Sequence, residues 1–313
     1  MARFQQRGKA GSAGDLPQSL LSRRLGLFAA RTQEGAGKET KVTDTGKQLR
    51  MARIFDPSTG KAIVMPMDHP LFAYHEVLED PRPLVRGLIQ AGATAFLMNR
   101  GTAKFVTTEL AGRAGLILRV SIATAFTQRD TDYAVASTVE EALRLGADAV
   151  APCVFLGSDH EKEDLRLWGF MADECDKWGM PIFPEVHPPA ELSGAVAHQG
   201  PYTVEAMRLC VRISAEIGAD FIKTWYTGDA KSYREVLRYS LVPVLIAGGP
   251  PATTPQTCLQ MVKGAMEAGA GGICIGRKVW GWEDPFGMCR AVTRIVRDGA
   301  SVEEALQELE ARR

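Results

Sequence analysis

The stretch ADFIKTWYTGD, residues 219–229, sets one lysine in an otherwise apolar run. Burial strips an ammonium of its hydration, so Lys223 needs either a partner or a chemical use. Strand alternation places Phe221, Lys223 and Trp225 on one face and Ile222, Thr224 and Tyr226 on the other. Among helices the ammonium would sit in hydrocarbon, so the face carrying Lys223 is expected to look into an interior that a carboxylate or solvent can reach. There its pKa is expected to fall. A neutral amine adds to a carbonyl and gives an iminium, which draws electrons from the adjacent carbon. Taken alone, the residue is equally compatible with a structural ion pair to a carboxylate.

Two glycine-rich stretches suggest what the carbonyl compound carries. AGGPP (247–251) and GRKVW (276–280) each follow an apolar run. Backbone N–H groups at Gly248, Gly249 and Gly276, with the guanidinium fork of Arg277, are expected to make a phosphate site, although either stretch alone is equally a tight turn and a surface arginine. Glu185 and His187 in PEVHPP are candidates for moving protons, and His69, beside Asp68 in MDHP, is either a phosphate or hydroxyl contact or a capping residue. Glu185 and His187 share facing parity. His187 read alone is equally a loop histidine bonded to backbone. The five histidines, at 69, 75, 160, 187 and 198, form no tight pair on one element, so no metal is expected.

These residues fall at corresponding places in a repeated pattern. From residue 61, apolar runs alternate with amphipathic segments: 61–68, 94–99, 115–123, 147–155, 180–187, 219–226, 242–249 and 271–279. Helices are expected between them, most clearly at 138–146, 204–218 and 257–269, each closing near a glycine. Joints such as LGADAV, IGADFI and AGAGGI recur. Eight such units predict an α/β fold, a closed (β/α)₈ TIM barrel, whose chemistry gathers at the C-terminal strand ends. No G-x-G-x-x-G follows an early strand, which argues against a doubly wound dinucleotide fold.

RIFDPSTGKAIVMPMDHP, WGMP, GADFIKTWYTGD, VPVLIAGGP and GAGGICIGRKVW together resemble the archaeal-type class I fructose-bisphosphate aldolase family, which includes aminodideoxyheptulosonate synthases and the phosphorylated autoinducer-2 thiolase. The resemblance implies a Schiff base on Lys223, proton transfer assisted by Asp68, and phosphate held by Gly249, Gly276 and Arg277. It implies a phosphorylated ketose-like substrate, no cofactor beyond the lysine, and assembly into rings, often decamers. The thiolase branch would add coenzyme A as co-substrate, and a barrel that lost its chemistry would bind sugar phosphates only. Two positions depart from the family pattern: Phe155 stands where the aldolases have a catalytic tyrosine, and His187 where the synthases have one.

Composition places the protein among ordinary globular chains. Of 313 residues, 45% are hydrophobic, and 37 Lys and Arg balance 37 Asp and Glu. Residues 1–50 are basic, with ten Lys or Arg against four Asp or Glu. That composition touches on an organellar transit peptide, but Asp15 and Glu34 count against it. The expectation is an N-terminal arm (1–50) packing on a neighbouring subunit of a homo-oligomer, and a barrel domain (51–313). Its apolar patch is too short and too charged to span a membrane, and no aromatic residues interleave with the basic ones as in a nucleic-acid arm. Six dispersed cysteines read as reduced packing residues of a cytoplasmic protein.

Overall fold

A computed structural model describes residues 43–127, 131–188, 202–249 and 254–310. Its parallel strands are β1 (Ala62–Pro66), β2 (Ala95–Met98), β3 (Gly115–Arg119), β4 (Ala149–Ala151, continued by Cys153–Phe155), β5 (Glu185–His187), β6 (Ile222–Thr224), β7 (Val244–Ala247) and β8 (Gly272–Cys274). β1 pairs with both β2 and β8. β4 pairs with β3 through its first half and with β5 through its second. The ring therefore closes at β4, where Pro152 lacks an N–H and splits the strand. This is the predicted TIM barrel.

The strands are shorter than the apolar runs. Pro181 and Pro184 interrupt the fifth run, leaving a bridge between Val150 and Ile182 before β5 begins. The third run leaves the barrel after Arg119, and Ser121–Ile122 pairs antiparallel with Ala134–Val135. The predicted helices form at Val139–Arg144, Val204–Glu216 and Pro255–Ala268. Side chains of Thr138, Thr203 and Thr254 cap their N-termini, satisfying N–H groups that the helix leaves unpaired.

Inside the ring, alternate residues make one apolar plug of Val64, Leu97, Ile117, Phe183, Phe221 and Leu245, with alanines between them. Phe183 and Phe221 stack with centroids 4.1 Å apart. The opposite strand faces pack against the helices in a larger core. The plug's side chains fill the lower barrel and leave the upper barrel for polar groups.

The base is closed by a helix, Thr43–Ile54, which crosses the expected boundary at residue 50. Ile54 is wholly buried in the inner plug. Arg53 Nε donates to Asp148 Oδ1 at 2.5 Å, and Lys47 Nζ to both oxygens of Asp220 at 2.9 Å. Residues 43–50 are thus part of the barrel unit, while the rest of the expected arm lies outside the described residues. All six cysteines are buried and free. Cys153 and Cys274 line the upper cavity.

Candidate active site

Above the plug lies a cavity of about 890 Å³. All nine residues singled out in the sequence, Asp68, His69, Glu185, His187, Lys223, Gly248, Gly249, Gly276 and Arg277, border it. Strand register determines their neighbours. Glu185 and Lys223 are Cα partners across β5 and β6, and Lys223 Nζ sits 2.6 Å from Glu185 Oε1. Phe155 and His187 are partners across β4 and β5, and their rings stack at 4.4 Å.

Arg119 is a central residue that the sequence reading missed. At 5% exposure, it bridges the two carboxylates: its Nε donates to Asp68 Oδ2 at 2.8 Å, and its Nη2 donates to Glu185 Oε2. The chain of charges thus runs Asp68, Arg119, Glu185, Lys223, alternating in sign. Arg119 interrupts the apolar run GLILRVSIA just as Lys223 interrupts its own. The criterion that selected the lysine would have selected the arginine.

The expected fall in the lysine pKa is reversed. Burial opposes its charge, but the Glu185 carboxylate in contact outweighs that and holds Lys223 above its ordinary value. For Glu185, burial likewise opposes ionisation, but Lys223 and then Arg119 pull it well below the carboxylate range. The resting pair is ammonium and carboxylate. A neutral amine at Lys223 would therefore require a proton to pass along the 2.6 Å contact.

Across the mouth, Arg277 forms no ion pair among the described residues and opens the short helix Arg277–Trp280. Gly276 admits no side chain, since a Cβ there would lie 2.5 Å from the Pro66 carbonyl oxygen. Gly249 is held at φ +67°, a conformation that favours glycine. His69 Nδ1 meets His75 Nε2 at 2.7 Å. Burial first, then Arg277 and His75, lower the His69 pKa to about 4, so the ring is neutral at pH 7. Pro70 sits at the start of the 3₁₀ turn His69–Leu71, where no N–H is needed.

Cys153, Glu185 and His187 each offer an atom within 4.8 Å of the others. Both Glu185 oxygens already engage cations, Lys223 and Arg119. Adding a dication beside two fixed positive charges is unfavourable, so this trio fits the ion-pair network better than it fits a metal.

A model of the DeoC/LacD family aldolases matches residues 57–281. The chain belongs to that family. Among this aldolase's relatives is a 2-amino-3,7-dideoxy-D-threo-hept-6-ulosonate synthase of Halobacterium salinarum, 35% identical over 85% of this chain and 97% of that protein. A 2-amino-4,5-dihydroxy-6-oxo-7-(phosphonooxy)heptanoate synthase of Streptomyces griseus is 28% identical over 82% of this chain and 92% of its own length. An archaeal fructose-1,6-bisphosphate aldolase, solved with its catalytic lysine bound to the carbinolamine intermediate, has TM-score 0.71 and 29% identity. It covers 80% of this chain and 99% of that one. The DeoC/LacD chain is a class I, Schiff-base aldolase-type enzyme of the predicted family. No described helix is long and apolar enough to cross a membrane.

Proposed function

We propose that this aldolase makes or breaks a carbon–carbon bond next to the ketone of a phosphorylated, ketose-like substrate through an iminium on Lys223. The observation that carries the reading is the buried contact of Lys223 with Glu185 on the wall of a cavity whose rim carries Arg277. Glu185 accepts a proton from Lys223, and the freed amine adds to the ketone carbon. The carbonyl oxygen takes a proton, giving a carbinolamine, and water leaves to form the iminium. In cleavage, the hydroxyl on the carbon beyond the bond loses its proton. That carbon becomes a carbonyl, and the bonding pair flows into the iminium to leave an enamine. Protonation at carbon and hydrolysis return the amine; synthesis is the reverse. Asp68 and His187 border the same space and serve as further proton carriers or hydroxyl contacts.

The phosphate is assigned to Arg277 and the backbone at Gly248, Gly249 and Gly276. The reported relatives carry aldolase and synthase names rather than that of a coenzyme A transferase, so the phosphorylated ketone reading is preferred. A homo-oligomer of cytoplasmic location, up to a decamer, accompanies it.

Borohydride reduction in the presence of dihydroxyacetone phosphate or fructose 1,6-bisphosphate should leave a covalent mass increment on the peptide containing Lys223. An increment elsewhere, or none with a panel of sugar phosphates, refutes the reading. Arg277→Gln should raise KM for a phosphorylated substrate by about tenfold, the lower end expected for a charge-assisted contact at an exposed position. An unphosphorylated analogue should be unaffected. Equal effects on both would move the phosphate elsewhere.

A further inference from the structure

The aldol step needs an acid at the oxygen that alternates between alkoxide and carbonyl, and the carboxylates and the thiol around Lys223 are poorly suited to that task. Asp68 and Glu185 are both engaged by Arg119, and Glu185 by Lys223 as well. They are placed to accept protons. Cys153 is a buried thiol, a weak donor.

Tyr133 is the one phenol bordering the cavity among the described residues. It immediately precedes the ladder in which Ala134–Val135 pairs with Ser121–Ile122, and the Ala136 N–H donates to Val120 O at 2.8 Å. This ladder folds the chain back from the end of β3 and fixes the ring over the mouth. The ring packs 5.2 Å from Phe155 and 6.4 Å from Phe72. No hydrogen bond engages its hydroxyl among the described residues, and Cys153, Glu185, Arg119 and Asp68 border the same cavity. We infer that Tyr133 is the general acid and base of the carbon–carbon step, acting at the substrate oxygen across the cavity from the Lys223 iminium.

In synthesis, the enamine carbon attacks the aldehyde carbon and the carbonyl π pair moves to oxygen. Tyr133 Oη–H gives its proton to that oxygen and becomes a phenolate. The proton released from carbon when the enamine formed returns to the phenolate through solvent. In cleavage each transfer runs backwards. Burial, reinforced by Cys153 and Glu185, holds the phenol protonated far above neutral pH, so the donor is loaded in the resting enzyme. Arg119 works in the opposite direction and would steady the phenolate during turnover.

The inference rests on the Lys223 reading, and the test separates the two. With fructose 1,6-bisphosphate as probe, Tyr133→Phe should lower kcat roughly 10²- to 10⁴-fold while borohydride still traps the adduct on Lys223. The substitution keeps the ring contact with Phe155, and an unchanged melting temperature checks this. Placing 3-nitrotyrosine at position 133 lowers the phenol pKa, and should move the alkaline limb of the kcat profile to lower pH, an effect that a packing role cannot produce. Turnover within about threefold of wild type in Tyr133→Phe, with the adduct intact, overturns the inference alone. An unmoved alkaline limb also overturns it. Absence of an adduct in the wild type overturns the Lys223 reading and this inference with it.

Discussion

Lys223→Ala is expected to abolish the borohydride adduct and to reduce turnover by on the order of 10⁴-fold or more, since it removes the amine proposed as the covalent electron sink. The geometry makes the expectation specific. Lys223 is 7% exposed and held by Glu185 at 2.6 Å. Lys231, eight positions along in the helix Ala230–Leu237, is exposed. Lys231→Ala should keep both adduct and turnover, which controls for nonspecific lysine modification. The Lys223 variant leaves Glu185 with Arg119 as its cation, so the barrel should still fold, and its circular dichroism should match wild type. A folded Lys223→Ala protein that retained turnover would eliminate the iminium mechanism.

The second large effect is on stability. Arg119→Met should cost about 3–5 kcal/mol in chemical denaturation, because removing one member of a buried ion-pair network leaves charge without compensation. Here the stranded groups are Asp68 and Glu185, whose bonds to Arg119 disappear together. The pH dependence provides a second signature. A carboxylate whose folded pKa is depressed stabilises the native state above its unfolded value, about 4.3 for glutamate, and that contribution drains away as pH falls through the lower folded value. Glu185 is such a group: burial raises its pKa, but Lys223 and Arg119 overcome this. The gap between wild type and Arg119→Met should therefore be fully present at pH 7 and narrow below about pH 4.3. A loss under about 1 kcal/mol, or a gap independent of pH, would mean that the bridge contributes little to the fold.

Much of this arrangement was legible in the sequence because barrels impose periodicity. Eight apolar runs located the strands, and parity along each run sorted Phe221 from Ile222 and brought Lys223 inside. Arg119 obeys the same rule, but attention to strand ends passed over a cation in mid-run. The lysine protonation state required the strand register, since only the pairing of Glu185 with Lys223 puts the carboxylate in contact. Tyr133 carries no comparable sequence signal. It reaches the mouth because the chain after β3 doubles back through a two-residue ladder, and neither length nor composition of that segment announces the reversal. Prolines 152, 181 and 184 shortened or split the strands by removing N–H donors, without changing how many there are.

The closure at the base has a kinetic consequence. Lys47 bonds to Asp220 across 173 positions, and β1 pairs with β8, Ala62 opposite Gly272. During synthesis the helix Thr43–Ile54 therefore emerges long before its partner residues exist, and β1 waits for β8 with one edge unpaired. Such distant contacts delay ring closure and leave an adhesive edge exposed in the nascent chain. The finished barrel hides that edge completely, so its aggregation hazard belongs to the ribosome-bound and refolding chain rather than to the folded enzyme.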